Sequence, residues 1–233
     1  MDIKRYYGAQ GEYLEEHKKY FSKKHLQRDV DFLIDILNLK KKDKILDIAC
    51  GNGRHTIELA KEGFNVDGLD FSGHLLNVAK ENAKQENLQI TFYKQDVHDI
   101  NIKNKYDKIF LFFSEFGLFD AEKVLKNISK ILKINGLFVL DCDNVFRLIQ
   151  YLTKHPKSPY QFDFINMELK EKHKNSAGVR YYIVPELMKL FNTYKLSVTS
   201  IYGDYNKQVL AINSKRIILI GKKITSHKYP RSG

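Results

Sequence analysis

Two glycines and three aspartates in this chain stand at spacings that suit ligand chemistry. Gly51 and Gly53 lie in ILDIACGNGRHTIELA, residues 45–60, where a strand-like run passes without a break into an amphipathic helix. Glycines there let the backbone turn sharply and approach a ligand closely. Asp47 lies just upstream, Asp70 ends NVDGLD 17 residues beyond Gly53, and Asp96 follows in FYKQDVHD. An ionised carboxylate has two acceptor oxygens, so an acid at a strand tip suits both hydroxyls of a ribose. Asp96 suits the amino group of a base, with the Val97 amide donating to a ring nitrogen. Ser72 already fills the N-cap role at the next helix, which leaves Asp70 for another task. For Asp96 taken alone, a plain turn aspartate is an equal alternative.

A nicotinamide dinucleotide would ask for a third glycine, letting the helix approach its strand beneath a pyrophosphate. That position holds Thr56, preceded by Arg54 and His55, so the dinucleotide reading ranks last. Other reactive types are sparse. The two cysteines, Cys50 and Cys142, lack metal-ligand spacing, and nothing nearby activates the thiol of Cys50. His55, His74 and His98 lie near expected strand ends, where a lone histidine is more often structural. Phe113, Ser114, Glu115 and Phe116 directly follow the fourth strand-like run, and Phe112 and Phe113 suit plain core packing equally well.

These residues need a scaffold. Strand-like runs at 44–49, 65–69, 89–94, 106–112 and 136–141 alternate with helix-like runs at 54–62, 72–86 and 121–132. Such alternation signals a doubly wound α/β fold with a mostly parallel sheet. The strands read as nearly continuous apolar stretches (KIFLFF, LFVLD), as they do when both faces are covered. Gly63 stands at a helix C-terminus, and Pro185 suits the first turn of a helix at 185–192. Runs at 195–202 and 216–222 read as an antiparallel pair joined by GDYNKQVLAINSK. Residues 144–184 read as irregular and aromatic, and short for a segment that would cover a substrate.

The 233 residues suffice for a sizeable core, and 43% hydrophobic content places the chain among globular proteins. No apolar run approaches 18 residues, and the first ten lack a signal-peptide core, so a reduced, cytoplasmic setting without a membrane is expected. The net charge of +11 raises nucleic acid as a partner. Against it, 32 of the 39 basic residues are lysines scattered over surfaces, and arginine is the residue suited to bidentate phosphate contacts.

Asp47 with the glycine loop, then Asp70, then Asp96 follow in order at three successive strand tips, and this pattern resembles the class I S-adenosylmethionine-dependent methyltransferases. LDIACGNGRHTIELA resembles that family's nucleotide loop, GLDFS its ribose acid and QDVHD its adenine acid, in register over residues 44–141. FFSEFGLF, with the late YGDY and SKRIILIGKK, further resembles a group of bacterial small-molecule methyltransferases. The resemblance implies a Rossmann-like, seven-stranded sheet with an antiparallel last strand. It implies S-adenosylmethionine as methyl donor and S-adenosylhomocysteine as product. Asp47 and the backbone of Ala49 and Gly51 would hold the methionine end, Asp70 the ribose, and Phe71, Asp96 and Val97 the adenine, with Cys50, Gly53 and Phe113 also counted among the cofactor-binding residues.

By the same resemblance the chain divides into an N-terminal helical cap (1–40), a cofactor-binding core (41–143) and a substrate-covering segment (144–184). A helix and hairpin complete the sheet (185–224) before a tail (225–233). Tyr6, Tyr7, Tyr13 and Tyr20 are candidates to cap the cofactor, and Tyr160, Phe162, Phe164, Tyr181 and Tyr182 to line an acceptor pocket. Ser114 and Glu115 are the candidate catalytic residues, Glu115 as a base or as the partner of a cationic amine. FSEF stands where an Asn-Pro-Pro-Tyr-like tetrapeptide accompanies methylation of planar amides and bases. The expected acceptor is therefore an oxygen, nitrogen or sulfur nucleophile of a small molecule. An RNA methyltransferase and a non-catalytic cofactor-binding scaffold stay open as alternatives.

Overall fold

The computed structural model describes residues 3–9, 11–17, 22–112, 116–172 and 178–225. It opens with α1 (Ile3–Tyr6), α2 (Tyr13–His17) and α3 (Lys23–Ile36). Then β1 (Lys44–Ile48), α4 (Arg54–Lys61), β2 (Asn65–Asp70), α5 (Gly73–Gln85), β3 (Phe92–Lys94), β4 (Tyr106–Leu111), α6 (Ala121–Ile131) and β5 (Leu132–Asp143) alternate as expected. The chain continues through α7 (Val145–Lys154), β6 (Tyr160–Asp163), β7 (Glu168–Glu171) and β8 (Val179–Arg180) to α8 (Val184–Thr193), β9 (Leu196–Tyr202) and β10 (Arg216–Lys223).

The main sheet has seven strands in the order β3-β2-β1-β4-β5-β10-β9. Strands β1 to β5 run parallel, and β10 is antiparallel to both β5 and β9. Side-chain alternation explains why the central strands read as continuous apolar runs. Ile109 and Leu111 face a core completed by Val124, Leu125 and Ile128 of α6 and Phe191 of α8. Phe110 and Phe112 face the opposite core, against Val30, Phe32 and Leu33 of α3 and Leu59 of α4. Both faces of the sheet are therefore dry, which anchors the strand ends.

Helix termini follow the capping chemistry of the sequence. The Ser72 side chain accepts from the Leu75 amide, and Asp120 caps α6 through the Lys123 amide. Gly63 adopts φ 80° after α4, as a C-cap glycine should. β5 begins before the expected 136–141, at Leu132, and takes in Asn135 with a left-handed φ of 66°. β3 is shorter than the expected 89–94, because only Phe92–Lys94 finds partners on β2.

Residues 144–184 differ from the irregular stretch expected. They form α7 and a second, three-stranded sheet in the order β6-β7-β8. The helical stripe of α7 (Val145, Leu148, Ile149, Leu152) is legible once separated from the prolines beyond it. The small sheet carries no such stripe, since β6 and β7 are half-exposed on alternate and adjacent residues alike. It packs on the 3₁₀ turn Phe116–Leu118 so closely that a Cβ on Gly117 would collide with the Arg180 carbonyl. Among the described residues, no helix is long and apolar enough to cross a membrane.

Candidate active site

The turn leaving β1 sets the site. Ala49 and Gly51 both adopt left-handed backbone, at φ 56° and 55°, and Gly53 follows at φ 77° as the N-cap of α4. A Cβ on Gly53 would stand 2.9 Å from that of Ala79, so the glycine is needed for α4 to lie against α5. At Gly51 a Cβ would meet only ordinary contacts at 3.8 Å or more, so there the requirement is conformational. Two acids hold the turn. Asp47 accepts from the Thr56 hydroxyl at 2.6 Å, which ties β1 to α4. Asp70 accepts from the amides of Gly51 at 2.9 Å and Ser72 at 2.8 Å, which ties the turn to the tip of β2.

A cavity of about 1040 Å³ opens over these strand ends. One part of its wall consists of Ala49, Gly51, Asp70, Phe71, Asp96 and Val97. The N-terminal segment closes over it: Tyr7 packs edge-on against Phe71 at 5.7 Å and on Tyr13 at 4.8 Å, and both tyrosines line the cavity. The Ser72 hydroxyl fixes this cap by donating to the Tyr7 carbonyl at 2.6 Å. At the β3 side, His98 donates both its backbone amide (2.9 Å) and Nδ1 (2.6 Å) to Oδ1 of Asp96. Its Nε2 accepts the Asp120 amide at 3.0 Å, which assigns the tautomer. Asn127 holds the Val97 carbonyl at 3.1 Å.

Burial pushes the Asp47 carboxyl up to about 7; Thr56 opposes the shift and the charge of Asp70 adds to it. Asp70 is raised too, by burial, against the pull of the backbone amides of Ser72, Gly51 and Phe71. Burial and the charges of Asp47 and Asp70 drive the Cys50 thiol well above its usual range, so it is no nucleophile. His55 is buried between Phe112, whose ring it meets edge-on at 5.5 Å, and Asp29 Oδ2, 3.6 Å away. Burial, helped by Arg54, pulls its imidazole down to about 4, so it is neutral.

The structure thus brings Ala49, Gly51, Asp70, Phe71, Asp96 and Val97 to one cavity wall, while Asp47, Cys50 and Gly53 stand behind it. Phe113, Ser114 and Glu115 lie outside the described residues, as does Tyr20. His55 is structural, and His98 lines the cavity. Tyr160, Phe162, Phe164, Tyr181 and Tyr182, expected to line an acceptor pocket, are not among the residues lining the cavity. Phe162 packs with Phe164 and Tyr181, and Tyr182 packs on Phe116. The small sheet and the segment after it turn Phe162, Phe164 and Tyr181 onto one another and Tyr182 onto the Phe116 turn, while Tyr160 is exposed.

Aromatic walls come instead from Phe112, Phe119 and Tyr205, with Arg28 4.6 Å from the Tyr205 ring. The loop 203–215 between β9 and β10, together with Arg28 and Arg147, was invisible as a site in sequence. The one available signal was its length, since long connections without regular structure tend to carry function. Among the described residues, no group of His, Cys, Asp and Glu is arranged to hold a metal ion.

Two left-handed residues, two carboxylates at neighbouring strand tips and an apolar Phe71–Val97 slot suit a ribose and an adenine. Comparison with known proteins agrees. The sequence matches a family profile described as a methyltransferase domain over residues 39–184. It is 32% identical over 126 residues to a glycine/sarcosine N-methyltransferase of Parasynechococcus marenigrum, covering 52% of this chain and 45% of that protein. It is 33% identical over 110 residues to a ubiquinone biosynthesis O-methyltransferase of Coxiella burnetii, covering 46% of this chain and 47% of that one. The chain spans about half the length of the curated relatives it matches. The crystal structure of an S-adenosylmethionine-dependent methyltransferase from Clostridium acetobutylicum superposes with a TM-score of 0.74 at 20% identity, covering 91% of this chain and 99% of that one.

Proposed function

The chain belongs to the family of S-adenosylmethionine-dependent methyltransferase domains, and from that membership we propose that it methylates an oxygen, nitrogen or sulfur atom of a small molecule. The observation that carries the reading is the convergence of Gly51, Asp70 and Asp96 on one cavity. Its volume, about 1040 Å³, is near the upper end of small-molecule sites and leaves room for an acceptor beside a nucleoside. The relatives that act on glycine or sarcosine nitrogen and in ubiquinone biosynthesis support a heteroatom of a small acceptor.

When bound, S-adenosylmethionine supplies a methyl carbon activated by a positively charged sulfur. The chain's own contribution is placement. Asp70 receives ribose hydroxyls, and Asp96 with the Val97 amide receives the adenine edge. Asp47, through Thr56, and the backbone of Ala49 and Gly51 hold the turn at the methionine end. Tyr7, Tyr13 and Phe71 exclude water from that side. Alignment of two reactants in this way is worth about 7–11 kcal/mol of barrier. Ser114 and Glu115 stand two and three residues beyond Phe112, which follows β4 and lines the cavity, and from that chain position we assign them to the acceptor. Glu115 takes a proton from the nucleophile or orients a cationic amine, the former contributing about 10²–10⁴-fold.

The test is methyl transfer from labelled S-adenosylmethionine into fractionated cell extract, alongside calorimetry with S-adenosylhomocysteine. Binding of the product and label in the small-molecule fraction are expected. Absence of product binding, or label confined to RNA or protein, would overturn the reading.

A further inference from the structure

The cavity has a second group of lining residues that the nucleoside does not use. They come from the end of β5, the start of α7, the loop 203–215 and the start of β10, and they include the cations Arg147, Lys215 and Arg216 and the acids Asp143 and Asp204. Most of these charges are committed. Arg216 pairs with Asp141 at 2.7 Å and with Asp143. Asp204 accepts the amides of Asn206 at 2.8 Å and Gln208 at 3.1 Å. Arg28, which also faces the cavity, is held by Asp29 at 2.6 Å and lies over Tyr205. Arg147 and Lys215 make no hydrogen bond, ion pair or ring contact among the described residues.

Asn144 holds the elements carrying these two cations together. Its side-chain oxygen accepts the Phe146 amide at 3.1 Å, capping α7 one turn before Arg147. Its Nδ2 donates to the carbonyls of Ala211, Ile212 and Ser214, the last at 2.9 Å and next to Lys215. Asn144 is buried at 4% exposure, so this clasp is a fixed part of the wall. Two cations without internal partners are therefore held on one wall of a cavity whose nearby acids already have other partners, Asp141 and Asp143 in Arg216 and Asp204 in two backbone amides.

We propose that the methyl acceptor carries an anionic group, a carboxylate or a phosphate, received by Arg147 and Lys215. This rests on the methyltransferase reading and narrows its acceptor class. The arginine fork suits either anion through paired N–H donors. Both side chains keep much of their hydration, so the expected gain is that of a partly exposed charge-assisted contact, about tenfold in affinity.

The test uses the whole chain saturated with S-adenosylhomocysteine and titrated with benzoate, phenyl phosphate and neutral benzamide. The wild type should bind at least one anion about tenfold more tightly than benzamide, and added KCl should shrink that gap. The benzoate and phenyl phosphate arms decide between carboxylate and phosphate. The double variant R147Q/K215Q should lose the preference while its affinity for S-adenosylhomocysteine stays within about twofold of wild type. Either single variant should lose part of it. Equal binding of acid and amide, including no binding of any, overturns the proposal, as does a preference that survives in the double variant. A parallel loss of S-adenosylhomocysteine affinity also overturns it, by assigning the cations to the carboxylate of the cofactor. Failure of the wild type to bind S-adenosylhomocysteine would sink the methyltransferase reading itself.

Discussion

The backbone amide of Gly51 donates to the Asp70 carboxylate at 2.9 Å, so the acid that ends β2 also shapes the turn that ends β1. Asp70 thus does two jobs, since its oxygens hold the turn and face the cavity. Replacing it by alanine removes a charged acceptor for the ribose and loosens the turn. Asp70→Ala should weaken S-adenosylhomocysteine binding by about 10–100-fold, the value of one charge-assisted contact. Calorimetry decides it, and undiminished binding would remove Asp70 from the site.

Asp47 makes a prediction of opposite character. Its carboxyl is raised from an ordinary 3.8 to about 7, so the folded protein holds the proton more tightly than the unfolded chain does. Stability from this group is therefore greatest at low pH, declines as pH rises from about 4 to about 7, and is flat above. Asp47→Asn, which retains an acceptor for Thr56, should erase that decline. Melting curves should show the variant matching wild type near pH 4 and exceeding it by about 2–8 °C at pH 8. Parallel curves across the whole range would show that Asp47 is ionised at little cost.

His55 governs the acid side. Its folded value of about 4 lies below the ordinary 6.5, so it contributes stability that is intact above about 6.5 and lost as pH falls towards 4. The loss should amount to about 2–4 kcal/mol. In His55→Gln the acid limb should flatten, as read by urea titration at pH 4.5 and 7. A limb as steep as wild type would place the acid sensitivity elsewhere.

His98 acts through Asp96. With Nε2 engaged by the Asp120 amide and Nδ1 by Asp96, the ring holds the carboxylate in one orientation. His98→Ala should weaken S-adenosylhomocysteine about 3–10-fold, and Asp96→Ala somewhat more. Because one residue works through the other, the double variant should be no worse than Asp96→Ala alone. Additive losses would mean that His98 touches the ligand independently.

The strands, the glycine turn and the three acids were legible because each rests on local rules. Ser72 and Gly63 mark helix ends by their own chemistry, and Asp70 and Asp96 mark strand ends by position. The acceptor side obeys no local rule. Arg28, Arg147 and Lys215 come from α3, α7 and the loop 203–215, far apart in sequence, and only tertiary packing brings them to one cavity. The aromatics of 160–182 misled for the same reason. Their types suited a pocket wall, but pairing within the small sheet turned them onto each other and onto Phe116. The roles of Ser114 and Glu115 rest on chain position after β4.

Asn144 offers a test of how that distant wall is built. One amide clasps three loop carbonyls while its oxygen caps α7, so a single buried side chain fixes both supports of the acceptor side. Asn144→Ala removes this donor from all three carbonyls, of which Ala211 keeps the Ser214 amide, and should cost about 1–3 kcal/mol. Asn144→Asp should cost more, since a carboxylate oxygen would then face three carbonyl oxygens. Hydrogen exchange should quicken in the described loop 203–215 and at the start of α7, while the turn at 49–53, held by Asp70 and Thr56, keeps its protection. Uniform acceleration across both would show that Asn144 supports the whole fold, and no acceleration in the loop would show that its clasp is dispensable.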